Sequence, residues 1–220
     1  ALEKCLRDNS AAVIKSLKDL QSNIAGKVLR ATGVRGKKTA AICIVSAWAS
    51  DHYVSLGQVK TEKKSNEKTA IPKLIEAINI QGALVSIDAM GCDKNIATII
   101  RENEGDYLLA LKKNQKGLYE EVRDWMNNQK SNMEVFEQTD YVGGRIEKRI
   151  TYVCNDLTYI DETQNWTDSK SVIMVESERS FKNGKKKTTF HTRFYISSRF
   201  ADAKYFSKCI SKINSNFFIF

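Results

Sequence analysis

Residues 84–97, LVSIDAMGCDKNIA, constrain the fold of this 220-residue chain more than any other segment. An apolar run ends on one carboxylate, Asp88, and small residues then lead into a helical pattern. This order predicts a buried strand, a turn and a helix. Strand ends open onto a crevice, and a carboxylate is a hard ligand for Mg²⁺ or Mn²⁺. Asp88 is therefore a candidate metal ligand, and the alternative is that it caps the following helix.

The periodicity on both sides of this segment predicts a mixed α/β core. Apolar and alternating runs indicate strands, and amphipathic runs indicate helices. The predicted order is strand 23–30, a hairpin of strands 39–49 and 54–60, helix 69–78, strand 83–87, helix 93–102, strand 106–111 and helix 115–128. A hairpin followed by strand–helix units gives a mixed sheet with helices on its faces.

Beyond residue 130 the pattern becomes rich in strands. Strands are predicted at 135–136, 145–154, 171–179 and 188–197, with Gly143-Gly144 and Asn183-Gly184 as turn signals. A helix is predicted at 202–213, before an apolar end, NFFIF. We therefore expect an N-terminal helical segment at 1–22, a core at 23–130, a β-rich insertion at 131–200, and a C-terminal helix with a truncated tail at 201–220.

The composition favours a polyanionic partner in a reducing compartment. Lys and Arg outnumber Asp and Glu by 35 to 26, giving a net charge of +9. Nucleic acid is the commonest partner of such a surplus, and the alternative is a basic surface that binds nothing. The five cysteines are scattered without a C-x-x-C pair, which argues against zinc and disulfides and indicates the cytoplasm. No apolar run approaches the roughly 20 residues of a membrane helix.

A series of ordered motifs resembles one protein family. They are GKVLR, IVSAWAS, LGQVKTEKKSNE, AIPKLIEAINIQG, VSIDAMGCDKNIA and GDYLLALKKNQ. Together they resemble the DDE transposases of bacterial insertion sequences, in the ISAs-type or H-repeat-associated branch, over residues 24–129 and more weakly to FYISSR at 194–199. The resemblance implies an RNase H-like mixed sheet with flanking helices and a β-rich insertion. It also implies DNA transposition, transposon ends as the DNA partner, a possible homodimer, and Mg²⁺ or Mn²⁺ as cofactor.

Three carboxylates hold two metal ions in the family that this chain resembles, and the chain departs from that set. The first acid precedes the GK of a D-G-K-x-L-R pattern, where Ala25 stands here, and the second matches Asp88. The third lies on a helix after the YISS segment, and nothing after Asp202 is acidic. We therefore expect lost catalysis. The alternatives are a non-catalytic DNA-binding remnant, or a fragment or engineered variant of an active transposase.

Candidate DNA contacts follow the last predicted core strand. Lys112, Asn114 and Gln115 would lie on the same sheet edge as Asp88 if the two strands are parallel. Lysine contacts phosphate, and Asn and Gln bond phosphate, sugar or base edges. The alternative is a polar loop. Lys27 and Arg30 are further candidates, and Asp51, Glu67, Asp93 and Asp106 are poor substitutes for the missing acids.

Overall fold

The computed structural model describes residues 21–29, 42–50, 54–61, 67–89, 91–181 and 187–216. The chain forms two compact units, residues 1–109 and 110–220, and each is described by itself. The elements of the first unit are β1 (Gln21–Leu29), β2 (Ile42–Ala49), β3 (Val54–Thr61), α1 (Glu67–Ala77), β4 (Leu84–Ile87), α2 (Lys94–Glu102) and the start of β5 (Asp106–Leu111).

The strands of the first unit form a mixed sheet in the order β3-β2-β1-β4-β5. β1, β2 and β3 are antiparallel neighbours, whereas β4 runs parallel to both β1 and β5. α1 packs against β2, β3 and α2. The predicted class, an α/β fold with an RNase H-like mixed sheet and flanking helices, is confirmed.

β4 lies at the centre of the hydrophobic core. All its residues are buried, which is typical of a parallel strand that is covered on both faces. The helices contribute apolar side chains at spacings of three and four residues, so that each buries one face. The buried set includes Ile71, Leu74, Ile75, Ile96 and Ile100.

The turn after Asp88 is closed by a glycine without room for a side chain. The Gly91 amide donates to the Asp88 carbonyl at 3.1 Å. A Cβ on Gly91 would lie 2.4 Å from Ile87 Cγ2 and 2.8 Å from Ile71 Cδ1. The packing of α1 and β4 therefore determines the path by which the chain leaves Asp88.

The second unit is rich in antiparallel strands, as predicted. Its elements are α3 (Lys116–Gln129), β6 (Glu134–Val142), β7 (Arg145–Cys154), β8 (Ser171–Phe181), β9 (Thr189–Ser197) and α4 (Ala203–Asn216). Its sheet has the order β9-β8-β7-β6. Gly143 and Gly144 form the β6–β7 turn with φ of +56° and +74°, the left-handed conformation of a tight hairpin. β6 is longer than the predicted 135–136 because it pairs with β7 along its whole length.

The two helices of the second unit each bury an apolar stripe. α3 buries Leu118, Val122 and Met126, and α4 contacts β6 and β7. The Tyr119 and Phe194 rings meet edge to face with centroids 5.6 Å apart, which joins α3 to β9. No helix in the described ranges is both long and apolar enough to span a membrane.

One predicted boundary is wrong. The helix predicted for 1–22 falls mostly outside the described residues, but Gln21 and Ser22 belong to β1. They pair with Leu84 and Val85 of β4, a long-range contact that overrides the local helical pattern. The predicted division at 130 between core and insertion stays a prediction, since the two compact units change over between Leu109 and Ala110.

We expect Gly91→Ala to lower the free energy of unfolding by about 1–3 kcal/mol, the usual cost of overpacking a core. Gly117→Ala is the matched control, since the nearest atoms to its added Cβ belong to the Glu162 side chain, at 3.2 Å and beyond. It replaces glycine by alanine within a helix and should cause no loss. Urea denaturation of both variants measures the difference, and equal stabilities would contradict the packing argument.

Candidate active site

The parallel pairing of β1 with β4 ends immediately before Ala25 and Asp88. The parallel register joins Gln21 to Leu84 and ends with Ile24 beside Ile87. Ala25 follows Ile24 and Asp88 follows Ile87, and both residues are half-buried. Extending this register by one residue would set Ala25 opposite Asp88, on the face that also carries Asn23 and Ser86.

Two residues earlier, the same face carries a buried and neutral hydrogen-bond network. The side-chain Oδ1 of Asn23 accepts from the Ser86 hydroxyl and from Gln21 Nε2, the latter at 2.9 Å. Gln21 Nε2 also lies 3.2 Å from Ser86 Oγ. All three side chains are buried. The network therefore supplies no second charge next to Asp88, and sequence reasoning missed it because Gln21 was assigned to a helix.

The helix that follows Asp88 is capped by another residue. α2 begins at Lys94, and the Asp93 side chain accepts from the Asn95 amide at 3.1 Å. This is the ordinary geometry of an N-cap. The alternative in which Asp88 serves as the cap is therefore wrong, and Asp93 has a structural role of its own.

Another nearby acid is held at the opposite end of the parallel strands. Asp106 pairs with Leu84 at the start of β4 and receives a hydrogen bond of 2.7 Å from Arg101 Nη1. Asp51 lies outside the described residues, as does the side chain of Glu67. Among the residues that the structure describes, no group of three His, Cys, Asp or Glu side chains could hold a metal ion. A pair of divalent ions needs several convergent carboxylates. The described residues therefore do not fit a two-metal site.

The predicted DNA contacts fall into one exposed segment and two separate positions. Lys112 directly follows β5, and Asn114 and Gln115 belong to a 3₁₀ turn, Lys113–Gln115, ahead of α3. Lys112 and Asn114 are exposed and Gln115 is half-buried. Lys27 lies in β1, opposite Ile44 of β2, whereas its side chain and Arg30 lie outside the described residues. β4 and β5 are parallel, as the prediction for this segment requires.

The structure adds two lysines to that segment. Lys113 and Lys116 are exposed beside Lys112, and Lys116 is the first residue of α3. The first turn of α3 carries no acid, so the lysines add to the positive end of the helix dipole. We call Lys112, Lys113 and Lys116 the lysine cluster. The run KKNQK signalled it in the sequence, but a strand-to-helix turn was needed to gather the charges.

The chain matches a known family model over most of its length. The model described as transposase DDE domain covers residues 26–211. YncI of Escherichia coli O157:H7, named as a transposase, is 39% identical over 191 residues, which are 85% of this chain and 49% of that protein. The H repeat-associated transposase YhhI of Escherichia coli (strain K12) is 36% identical over 195 residues, 85% of this chain and 51% of that protein. The chain spans about half the length of these relatives.

A solved structure also resembles the chain. It is the piggyBac transposase in a synaptic complex with hairpin DNA, with a TM-score of 0.49 and 11% sequence identity. The match covers 90% of this chain and 39% of that one. The fold described above rests on its own strand order and register.

We expect Asp93→Ala to lower the free energy of unfolding by about 1 kcal/mol, because the backbone N–H of Asn95 loses its acceptor. Asp93→Ser keeps an N-cap oxygen and should retain most of the stability. Urea denaturation distinguishes the two variants. Equal losses in both would mean that the Asp93 charge, and not the cap, stabilises α2.

Proposed function

This chain belongs to the family of transposase DDE domains, and we propose from that premise that it binds DNA but lacks a complete metal site for strand transfer. The observation that carries the proposal is the parallel register of β1 and β4, whose extension by one residue would set Ala25 opposite Asp88. The resemblance assigns the first metal-binding carboxylate to position 25, and a methyl group cannot ligate an ion. Position 25 is thus where a carboxylate would be needed to share a metal ion with Asp88.

The helix after the β-rich strands supports the same conclusion. The resemblance assigns the third acid to such a helix, and α4 has the sequence AKYFSKCISKINSN, without an acid. The family usually uses divalent metal ions for phosphoryl transfer, and their affinity depends on how many carboxylates converge. One carboxylate, that of Asp88, would leave most of the positive charge of the metal ions uncompensated. Weak metal binding and defective strand cleavage are the expected consequences.

The lysine cluster supports the DNA-binding half of the proposal. Its charges are exposed at the start of α3, and the chain as a whole carries a net charge of +9. Each lysine that neutralises a phosphate releases a counterion, which makes the affinity dependent on salt. Asn114 and Gln115 add donors that suit phosphate oxygens or base edges. Transposon ends are the proposed target, and a cytoplasmic location stays a prediction.

Restoring a carboxylate at position 25 tests the proposed cause of the defect. We expect Ala25→Asp to tighten Mn²⁺ binding by at least about tenfold, because a second anionic ligand then lies beside Asp88. Isothermal titration calorimetry gives the dissociation constants. Ala25→Asn is the control of similar size, and its neutral amide should produce a much smaller change.

Two results would count against this account. One is that Ala25→Asp binds Mn²⁺ no more tightly than Ala25→Asn does. The other is Mg²⁺-dependent nicking of plasmid DNA by the chain as it stands, abolished by Asp88→Asn. The second result would show that other groups complete the metal site and that the alternative, an active transposase, is correct.

The lysine cluster can be tested separately from the metal site. We expect Lys112→Gln with Lys113→Gln to weaken duplex DNA binding and to reduce the slope of log affinity against log salt by about one for each lost phosphate contact. Fluorescence anisotropy over a salt series measures both quantities. Lys170→Gln is the control, since Lys170 is also exposed in the second unit but lies outside the cluster. Absence of DNA binding at low salt would rule out the DNA-binding role.

A further inference from the structure

The outer edge of the second unit's sheet is a long strand with one described neighbour. β6 has nine residues and is the terminal strand in the order β9-β8-β7-β6. Its register with β7 is continuous from Glu134 to Val142. The backbone groups on the outer side of such a strand are available to another strand. Natural edge strands usually block this pairing with lysine, proline or a bulge, and the sequence EVFEQTDYV has none of these.

The acidic side chains of β6 interact with residues of their own unit. We therefore do not expect them to block pairing of β6 with another strand. Glu137 forms an ion pair of 3.0 Å with Lys148, and the hydrogen bond between them raises the pKa of Lys148. Asp140 pairs with Arg149. Glu134 accepts from the Ala203 amide at 3.1 Å, at the start of α4. Two cationic residues of β7 thus offset the charges of Glu137 and Asp140, while Glu134 is held by a backbone amide of α4.

Two exposed apolar side chains lie symmetrically about the middle of β6. Val135 is 50% exposed and Tyr141 is 67% exposed. They are six positions apart, an even offset, so they lie on the same face of the sheet. Gln138 stands midway between them and is the middle residue of the strand. A β-branched residue opposite an aromatic one is a favourable cross-strand pair.

We propose that β6 is a self-association edge that pairs antiparallel with β6 of a second copy of this chain, about a two-fold axis at Gln138. In this register Val135 lies opposite Tyr141 of the second copy, and the same pair recurs across the axis. Glu137 lies opposite Thr139, and Phe136 lies opposite Asp140. No acid faces an acid, and the full strand is used.

A neighbouring register is less favourable. An axis at Glu137 would place Glu137 against its own copy and Glu134 opposite Asp140, and like charges directly opposite each other destabilise a sheet. Such a two-fold contact is isologous, because the same patch serves both copies. One strand pair is a small interface, so the dimer should be weak and dependent on concentration. The inference goes beyond the proposed function and requires neither a metal ion nor DNA.

A cysteine on the axis tests this register in the full chain. Gln138→Cys would face its own copy, at the Cα separation of about 4.5–5.5 Å that opposite residues have, which is suitable for a disulfide. Thr139→Cys is the control, since its two copies would be diagonal neighbours about 7–8 Å apart. We expect a reducible dimer band on a non-reducing gel for Gln138→Cys, well above the bands of Thr139→Cys and of the parent chain with its own cysteines. Equal bands in all three, or none, would overturn the proposal.

Sedimentation equilibrium of the chain without added cysteines provides a second measurement. We expect a monomer–dimer equilibrium that Val135→Lys weakens by roughly tenfold, because two apolar cross-strand pairs are lost. Thr189→Lys, an exposed position on β9, should leave the equilibrium unchanged. A chain that is monomeric at every concentration, or a dimer indifferent to Val135→Lys, would show that β6 does not associate in this way.

Discussion

The parallel pairing of β1 with β4 is the interaction on which the proposed site depends. It brings residues more than sixty positions apart into register, from Gln21 beside Leu84 to Ile24 beside Ile87. The same pairing buries the network of Gln21, Asn23 and Ser86, in which neutral side chains form hydrogen bonds with one another. It also sets the position of Ala25, the next residue of β1, which we propose stands in the place of a metal-binding carboxylate. One strand pair, β1 with β4, is therefore central both to the fold and to the proposed loss of catalysis.

A substitution at such a position can remove chemistry without removing the fold. Ala25 is small and fits a strand, so the backbone pairing that orders β1, β2 and β4 does not require an acid there. Metal affinity, by contrast, depends on the number of converging charges. The lysine cluster at the start of α3 does not depend on position 25 either. The two proposed properties therefore depend on different residues. For this reason we propose that the chain binds DNA and does not cleave strands.

Most elements of the fold could be predicted from the sequence, because apolar periodicity is a local signal. The strand 84–87 and the helix after it are examples, and α2 differs from its predicted start by one residue. The prediction failed at Gln21 and Ser22, whose strand conformation comes from β4 and not from their neighbours in sequence. It also underestimated β6, where charged residues obscure the alternation and pairing with β7 determines the length. In the site, the cap could not be assigned from sequence, since Asp88 and Asp93 both precede the helix.

The sequence by itself determined that the chain is a basic α/β protein, that Asp88 ends a buried strand, and that its motifs follow the order of a transposase family. These properties reside in composition, in periodicity and in the order of short segments. Only the tertiary structure decided that Asp93 caps α2, that Ile24 and Ile87 are neighbours in parallel strands, and that β6 lies at a sheet edge. Register and edge position are properties of pairs of strands, and no single strand's sequence specifies its partner.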